Sequence, residues 1–203
     1  MAVNVNEILT NLFGFYDFTD KIMLSVGAGG GQFIEYGRIA RKVYAVDCDA
    51  DALKLLKINL DKKSLTEKFT LIHSEFELSD IKTDITFFEF CLHEMKDVVI
   101  AVEHALNCSQ AVLISDHWID SEWAFVVDEK EKVERSWNML KKFQFQKLKV
   151  YHTIQRFADY NELHQKVKGQ GESTLNRIER YQGCIDFEIP MSYAFGLILK
   201  EQR

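Results

Sequence analysis

The feature that most constrains this chain is a cluster of glycines at the end of a short apolar run, Lys21-Ile-Met-Leu-Ser-Val-Gly-Ala-Gly-Gly-Gly31. Four of the ten glycines fall within five positions, at 27, 29, 30 and 31. Backbone without Cβ atoms turns sharply and lets a ligand approach closely. A second apolar run, Lys42-Val-Tyr-Ala-Val-Asp47, follows and ends in an acid. A strand, a glycine loop and an acid about twenty residues on form the pattern by which a doubly wound α/β fold presents a carboxylate to a ribose diol. The pattern predicts a nucleoside-containing cofactor.

The rest of the chain alternates in the same way. Strands are expected at Ile22–Val26, Val43–Asp47, Phe69–His73, Ile85–Phe90 and Ala111–Ser115. Helices are expected between them: Ala50–Leu60, capped by Asp49 with Ala52, Leu53, Leu56 and Leu60 on one face, and Val98–Asn107. Apolar residues at 8, 9, 12 and 13 make Asn4–Phe13 a short amphipathic helix that Gly14 ends. Apolar strands alternating with helices imply a parallel sheet covered on both faces.

The last third differs. Glu129–Lys142 reads as a helix with Val133, Trp137 and Leu140 on its buried stripe, and Asp128–Lys132 as its solvated start. Leu148–Arg156 reads as a strand. Helices capped by Asp159 and Ser173 end at Gly169 and Gly183. Ile185–Ile189 and Tyr193–Leu199, joined by a turn at Pro190, predict an antiparallel end to the sheet. With one proline and no Gly/Ser-rich hinge, residues 1–203 are expected to form a single domain.

A net charge of −6 disfavours broad contact with nucleic acid, which needs a basic surface. The apolar runs are strand-sized and the N-terminus lacks a basic region followed by an apolar stretch, so neither a membrane span nor an export signal is expected. Cys48, Cys91, Cys108 and Cys184 form no CxxC pair and are expected as reduced core thiols of a cytoplasmic protein; no metal site is expected.

The details of the loop narrow the cofactor. A dinucleotide fold uses G-x-G-x-x-G, but counted from Gly27 its third glycine would fall at Gln32, and the loop fits G-x-G-x-G at Gly27, Gly29 and Gly31. With Asp47, Ser74-Glu75-Phe76 after the third strand and Asp84-Ile-Thr-Phe-Phe-Glu-Phe-Cys-Leu-His-Glu-Met95 at the fourth, the chain resembles a class I S-adenosylmethionine-dependent methyltransferase of the small, single-domain kind that modifies small molecules. The landmarks span positions 21 to about 118. The resemblance implies a Rossmann-like, doubly wound, mainly parallel sheet with an antiparallel terminal strand and helices on both faces.

It also implies that Gly27, Ala28, Gly29 and Gly31 run under the methionine part of the cofactor, with Asp47 and Cys48 at the ribose, Glu75 and Phe76 at the adenine, and Glu89 and Phe90 beside the sulfonium. A helix N-terminus after Gly31 would favour the cofactor carboxylate. One departure stands out. Two residues before the first glycine, where the family carries an acid that orients the cofactor's amino group, this chain has Ser25, and Glu89 is a candidate to compensate.

Ligands of open α/β sheets bind at the carboxyl ends of strands, which selects residues after strands four and five. His117 is the first candidate for a base or substrate-orienting residue and His93 the second, because an imidazole exchanges protons near neutrality. Trp118, Trp123, His152 and Tyr160 are candidates to bind the acceptor. Residues 157–184, centred on Tyr160–Gln182, are expected to be an insertion covering it. A metal site built from His93, Glu94, Asp116 and His117 has suitable residue types but no tight ligand spacing.

The resulting expectation is methyl transfer to O, N or C of a small-molecule acceptor. The rivals are a non-catalytic S-adenosylmethionine-binding or sensor protein, an NAD-dependent oxidoreductase, and a methyltransferase acting on protein or nucleic acid. Oligomeric state is not legible.

Overall fold

The computed structural model describes residues 5–200. Its centre is a seven-stranded sheet of β1 (Ile22–Val26), β2 (Lys42–Asp47), β3 (Phe69–His73), β4 (Thr83–Glu89), β5 (Ser109–His117), β6 (Phe145–Asp159) and β7 (Ile185–Leu199). The strands lie in the order β3-β2-β1-β4-β5-β7-β6. The first five are parallel, with Val26 opposite both Val46 and Phe88 and Phe88 opposite Ile114. β7 runs antiparallel between β5 and β6. This is the doubly wound, mainly parallel sheet that the alternation predicted.

Side chains alternate across each strand, so the sheet carries a core on each face. Leu24, Val46, Phe88 and Ile114 pack on one side with α3 (Val98–Cys108) and α5 (Lys130–Leu140). Met23, Ala45, Phe87 and Leu113 pack on the other with α1 (Val5–Phe15) and α2 (Ala50–Lys62). Local chemistry sets the helix starts. Asp49 accepts from the backbone N–H groups of Asp51 and Ala52, and Asp97 does the same for Val99 and Ile100, each satisfying donors that lack an intrahelical partner.

Several boundaries move. The start of the first expected helix, at Asn4, lies outside the described residues; its end passes through Gly14 to Phe15, which is buried where Phe13 is exposed. After the glycine loop there is no α-helix but a 3-10 turn, Ile34–Arg38. Five residues of that form offer little aligned dipole, which corrects the expectation of a helix N-terminus at the cofactor carboxylate. Three short helices fill the last part: α4 (Glu122–Val126), α6 (Tyr160–Val167) and α7 (Glu172–Ile178). Asp159 caps α6 through the Glu162 N–H, while Glu162 reaches back to the Ala158 N–H. The cap of α7 is Gly171 at φ +97°, not Ser173.

The two closing segments are one strand. β7 continues through Pro190, which pairs with Ile154. The Trp118 N–H donates to the Ser192 carbonyl, so even-numbered residues here turn their backbone groups towards β5. β5 ends opposite Tyr193, and at Pro190 that side has no strand. The missing N–H therefore faces an open edge, where proline is tolerated. Pro190→Ala is expected to change stability by less than about 0.5 kcal/mol, whereas proline at Ile189, whose N–H points into β6, costs about 3 kcal/mol or more. Urea denaturation of the two variants measures the difference.

Candidate functional site

The carboxyl ends of β1 and β4 open beneath the glycine loop. Gly27 sits at φ +69°, and a Cβ there would lie 2.5 Å from the Cβ and Sγ of Cys91. Only glycine lets the loop pass this closely over the end of β4. Below it, Glu89 Oε1 accepts hydrogen bonds from Ser25 Oγ and from the Tyr36 hydroxyl, which arrives on the 3-10 turn. All three residues are buried. Burial pushes the Glu89 carboxyl up to about 7, although both hydroxyls favour its charged form. Burial and the adjacent Glu89 push the Tyr36 phenol well above its ordinary range.

Two cavities meet at Gly27, which lines both. The larger, of 660 Å³, is bounded by Asp47, Cys48, Ser74, Glu75, Phe76 and Met95, among others. Asp47 is held from two sides: its Oδ2 accepts the Gly29 N–H at 3.0 Å and its Oδ1 the Asp49 N–H at 2.9 Å. Those bonds tie the acid to the glycine loop and to the start of α2. Cys48 is exposed here rather than in the core as expected, and of the four cysteines, all free thiols, Cys108 alone is buried.

The smaller cavity, of 340 Å³, lies between the loop and the end of β5. Its walls include Glu89, Phe90, His117, Trp123, Glu129 and Lys166. Phe90 adopts φ +52°, costly for a bulky side chain, and is pinned by its N–H on the Ser115 carbonyl at 2.7 Å. That turn stacks its ring on Phe33 at 5.6 Å and sets it edge-on to His117 at 5.2 Å. Burial depresses the Lys166 ammonium.

Behind this cavity two histidines share one organising acid. Buried Asp116 accepts from the His93 ring Nδ1 at 2.6 Å and from the backbone N–H groups of His93 (3.0 Å) and His117 (2.8 Å). His93 Nε2 lies 3.5 Å from both Glu94 Oε1 and Glu129 Oε2; His117 Nε2 lies 3.6 Å from the same Glu129 oxygen. The rings differ in charge. Burial opposes a proton on each, but Asp116, Glu129 and Glu94 overcome it at His93 and hold its imidazolium to about 12. At His117 burial prevails over Glu129 and Asp116, and the ring is held neutral; its Nδ1 is buried without a partner.

The structure thus brings His93 and His117 together beside the cavity that Trp123 lines. Trp118, His152 and Tyr160 are not among the residues lining either cavity. Trp118 packs edge-on to Trp137 at 4.8 Å on the opposite face of the sheet, His152 Nδ1 meets Ser192 Oγ at 3.0 Å, and Tyr160 packs on His164. Trp137 is in the core, as its helical stripe implied, and its indole N–H donates to the His117 carbonyl.

Glu129, Gln155 and Lys166 are the residues that sequence reasoning missed. Asp128–Lys132 was expected to be solvated, but Asp128 turns at φ +63° and sends Glu129 inward to the histidines. No local signal marks Glu129, which stands in a charged run at a helix start. Gln155 points from β6 into the cavity, its Oε1 buried without a partner.

Residues 24–110 match the family model of a methyltransferase domain. The fold is similar to that of a methyltransferase candidate from Bacillus halodurans, at TM-score 0.72 and 14% identity over 97% of this chain and 100% of that one. It is similar also to an S-adenosylmethionine-dependent methyltransferase from Geobacter sulfurreducens solved with S-adenosyl-L-homocysteine (TM-score 0.63, 13% identity, 96% and 91% covered). An RNA methyltransferase candidate from Pyrococcus horikoshii shares the fold at TM-score 0.59 and 14% identity, with 98% and 83% covered. No curated protein matches the sequence. Among the described residues no helix is long and apolar enough to cross a membrane.

The buried Glu89 carboxyl has a consequence for stability. Its folded value, raised from 4.5 to about 7, means the folded state binds the extra proton between those limits, so stability falls as pH rises through that window and is level above it. The loss amounts to about 3 kcal/mol. Glu89→Gln keeps an acceptor for Ser25 and Tyr36 without the charge. Its stability relative to the parent is expected to grow by about 3 kcal/mol from pH 4.5 to 7.5 in ligand-free protein, measured by denaturant unfolding at each pH.

Proposed function

We propose that this chain, which carries a methyltransferase domain on the Rossmann-like class I fold and is an enzyme of that class, methylates a small acceptor seated in the 340 Å³ cavity. S-adenosylmethionine is the cofactor of this fold. The observation that carries the reading is the pair of cavities joined at Gly27, the larger lined by Asp47, Glu75 and Phe76, the smaller by the neutral His117.

The residues of the larger cavity fit the nucleoside of the cofactor, and its methionine part reaches past Gly27 into the near end of the smaller one. Asp47 offers two acceptor oxygens to a ribose diol, with Cys48 beside it. Glu75 and Phe76 suit the adenine. Gly27, which lines both cavities, with Ala28 and Gly29 on the wall of the smaller one, suits the methionine part, and Glu89 suits its amino group in place of an acid at Ser25; Gly31 lines neither cavity and makes room for Leu56 and Ile34. The rings of Phe33 and Phe90 favour a sulfonium by cation–π attraction.

The bound cofactor supplies an electrophilic methyl group, so the chain's own work is to bind, orient and exclude water. His117, kept uncharged by burial, takes the proton of an acceptor hydroxyl or amine. His93 and Asp116 act behind it as positioning residues. Trp123, Gln155 and Lys166 hold the acceptor: a ring face, a hydrogen-bond acceptor and a cation. Residues 157–184 form the cover, with α6 and the turn after it placing Lys166 and Gln170 on the cavity wall. The small volume and the net charge of −6 support a small molecule over a nucleic acid.

Asp47→Ala is expected to weaken S-adenosylhomocysteine by at least about tenfold in calorimetric titration, about 1.4 kcal/mol; an unchanged titration removes Asp47 from the site. His117→Ala is expected to leave that affinity within about twofold and to slow methyl transfer by about a hundredfold or more, once an acceptor is found by mass-spectrometric screening with labelled cofactor. Equal rates would take His117 out of the mechanism.

A further inference from the structure

Three carboxylates and two imidazoles converge behind the acceptor cavity. Asp116, Glu94 and Glu129 face the His93 ring, Lys132 bonds both oxygens of Glu94, and Arg135 donates to the His93 carbonyl at 3.3 Å. The His93 and Asp116 side chains are all but fully buried and that of Glu129 is 20% exposed. Asp116 and Glu129 are the carboxylates held largely from water, while Glu94 is half-exposed.

The geometry points to a divalent transition-metal ion held by His93 Nε2, Glu94 and Glu129, behind the acceptor cavity. The three ligand atoms lie within 4.8 Å of one another, and His93 Nε2 is 3.5 Å from an oxygen of each glutamate. Ligands about 2.1 Å from a tetrahedrally coordinated ion are about 3.4 Å apart. One imidazole with two carboxylates suits zinc, manganese or iron(II). His93 is already oriented as metal-bound histidines are: Asp116 accepts a hydrogen bond from its Nδ1–H and leaves Nε2 directed at the glutamates. On binding, the Nε2 proton leaves to solvent and Lys132, half-exposed, turns to water.

Glu129 lines the acceptor cavity and Glu94 the cofactor cavity, so three protein ligands leave coordination positions between them. His117, whose Nε2 lies 3.6 Å from Glu129 and whose Nδ1 has no partner, stands beside those positions. An acceptor oxygen or nitrogen bound there gives up its proton more readily to His117. That catalytic role rests on the methyltransferase reading; the binding of the ion does not.

The test is a cobalt(II) titration of chelator-stripped protein, followed by its visible absorption, with zinc(II) competition. One equivalent is expected to bind. Glu129→Gln and His93→Asn are each expected to weaken it by at least about tenfold. Glu94→Gln, at a half-exposed side chain, provides a variant whose folding is not in question, and thermal melts check the other two. A second group, Asp80, His104 and Cys108, also has ligand spacing; Cys108→Ser is expected to leave binding unchanged, and no sulfur-to-cobalt charge-transfer band is expected. Absence of a bound equivalent, binding indifferent to all three ligand variants, or binding abolished by Cys108→Ser overturns the proposal. Titration of the same stripped protein with S-adenosylhomocysteine keeps the two readings separate: cofactor binding without metal binding defeats the ion alone, and metal binding without cofactor binding defeats the methyltransferase reading alone.

Discussion

The site rests on one carboxylate. Glu89, at the end of β4, receives the hydroxyls of Ser25 on β1 and Tyr36 on the turn that follows the glycine loop. A charge in that position has no water around it, and burial brings its ionisation near neutrality. The two hydroxyls are what make an acid tolerable there, and in return the acid ties three segments around the loop. Tyr36 also packs against Phe18, Phe69 and Phe87, so the polar knot is anchored in the aromatic core of that face. A five-residue 3-10 turn has few hydrogen bonds of its own, and this anchor explains how it holds its place.

The same knot explains the serine. An acid at position 25 would put a second carboxylate against Glu89 in a buried space, where two like charges do not coexist. Ser25 and Glu89 are therefore one solution, with the acid on the neighbouring strand and the hydroxyl donating to it. Sequence alone shows the missing acid at 25 and an extra one at 89; parallel pairing of β1 with β4 makes them partners.

What was legible followed short-range rules. β1 and β3 begin and end where the apolar runs do, Asp49 caps its helix, and the acid after β2 reaches the glycine loop. What was not legible depends on partners far along the chain. β6 and β7 are each fifteen residues long because they pair with one another for their whole length, and the exposed residues of β6 carry little apolar pattern. Pro190 read as a break because its neighbour on the β5 side, or the lack of one, is a fact of topology. Glu129 sat in a charged run typical of solvated helix starts, and nothing local marks it as facing His93 and His117. Trp118 lies one residue past the end of β5, yet strand alternation sends it to the other face.

The two histidines show how one acid sets two different charges. Their rings are 6.0 Å apart and both meet Glu129, yet Asp116 bonds the His93 ring while giving His117 only a contact at the backbone. A ring bonded to a buried carboxylate keeps its proton; a ring that meets carboxylates only at longer range and is buried loses it. The result, in the unliganded protein, is a charged ring deep in the site and a neutral ring at the cavity wall. The ordering follows from position along β5: Asp116 turns to one face and His117 to the other, so only the His93 ring meets the buried carboxylate directly.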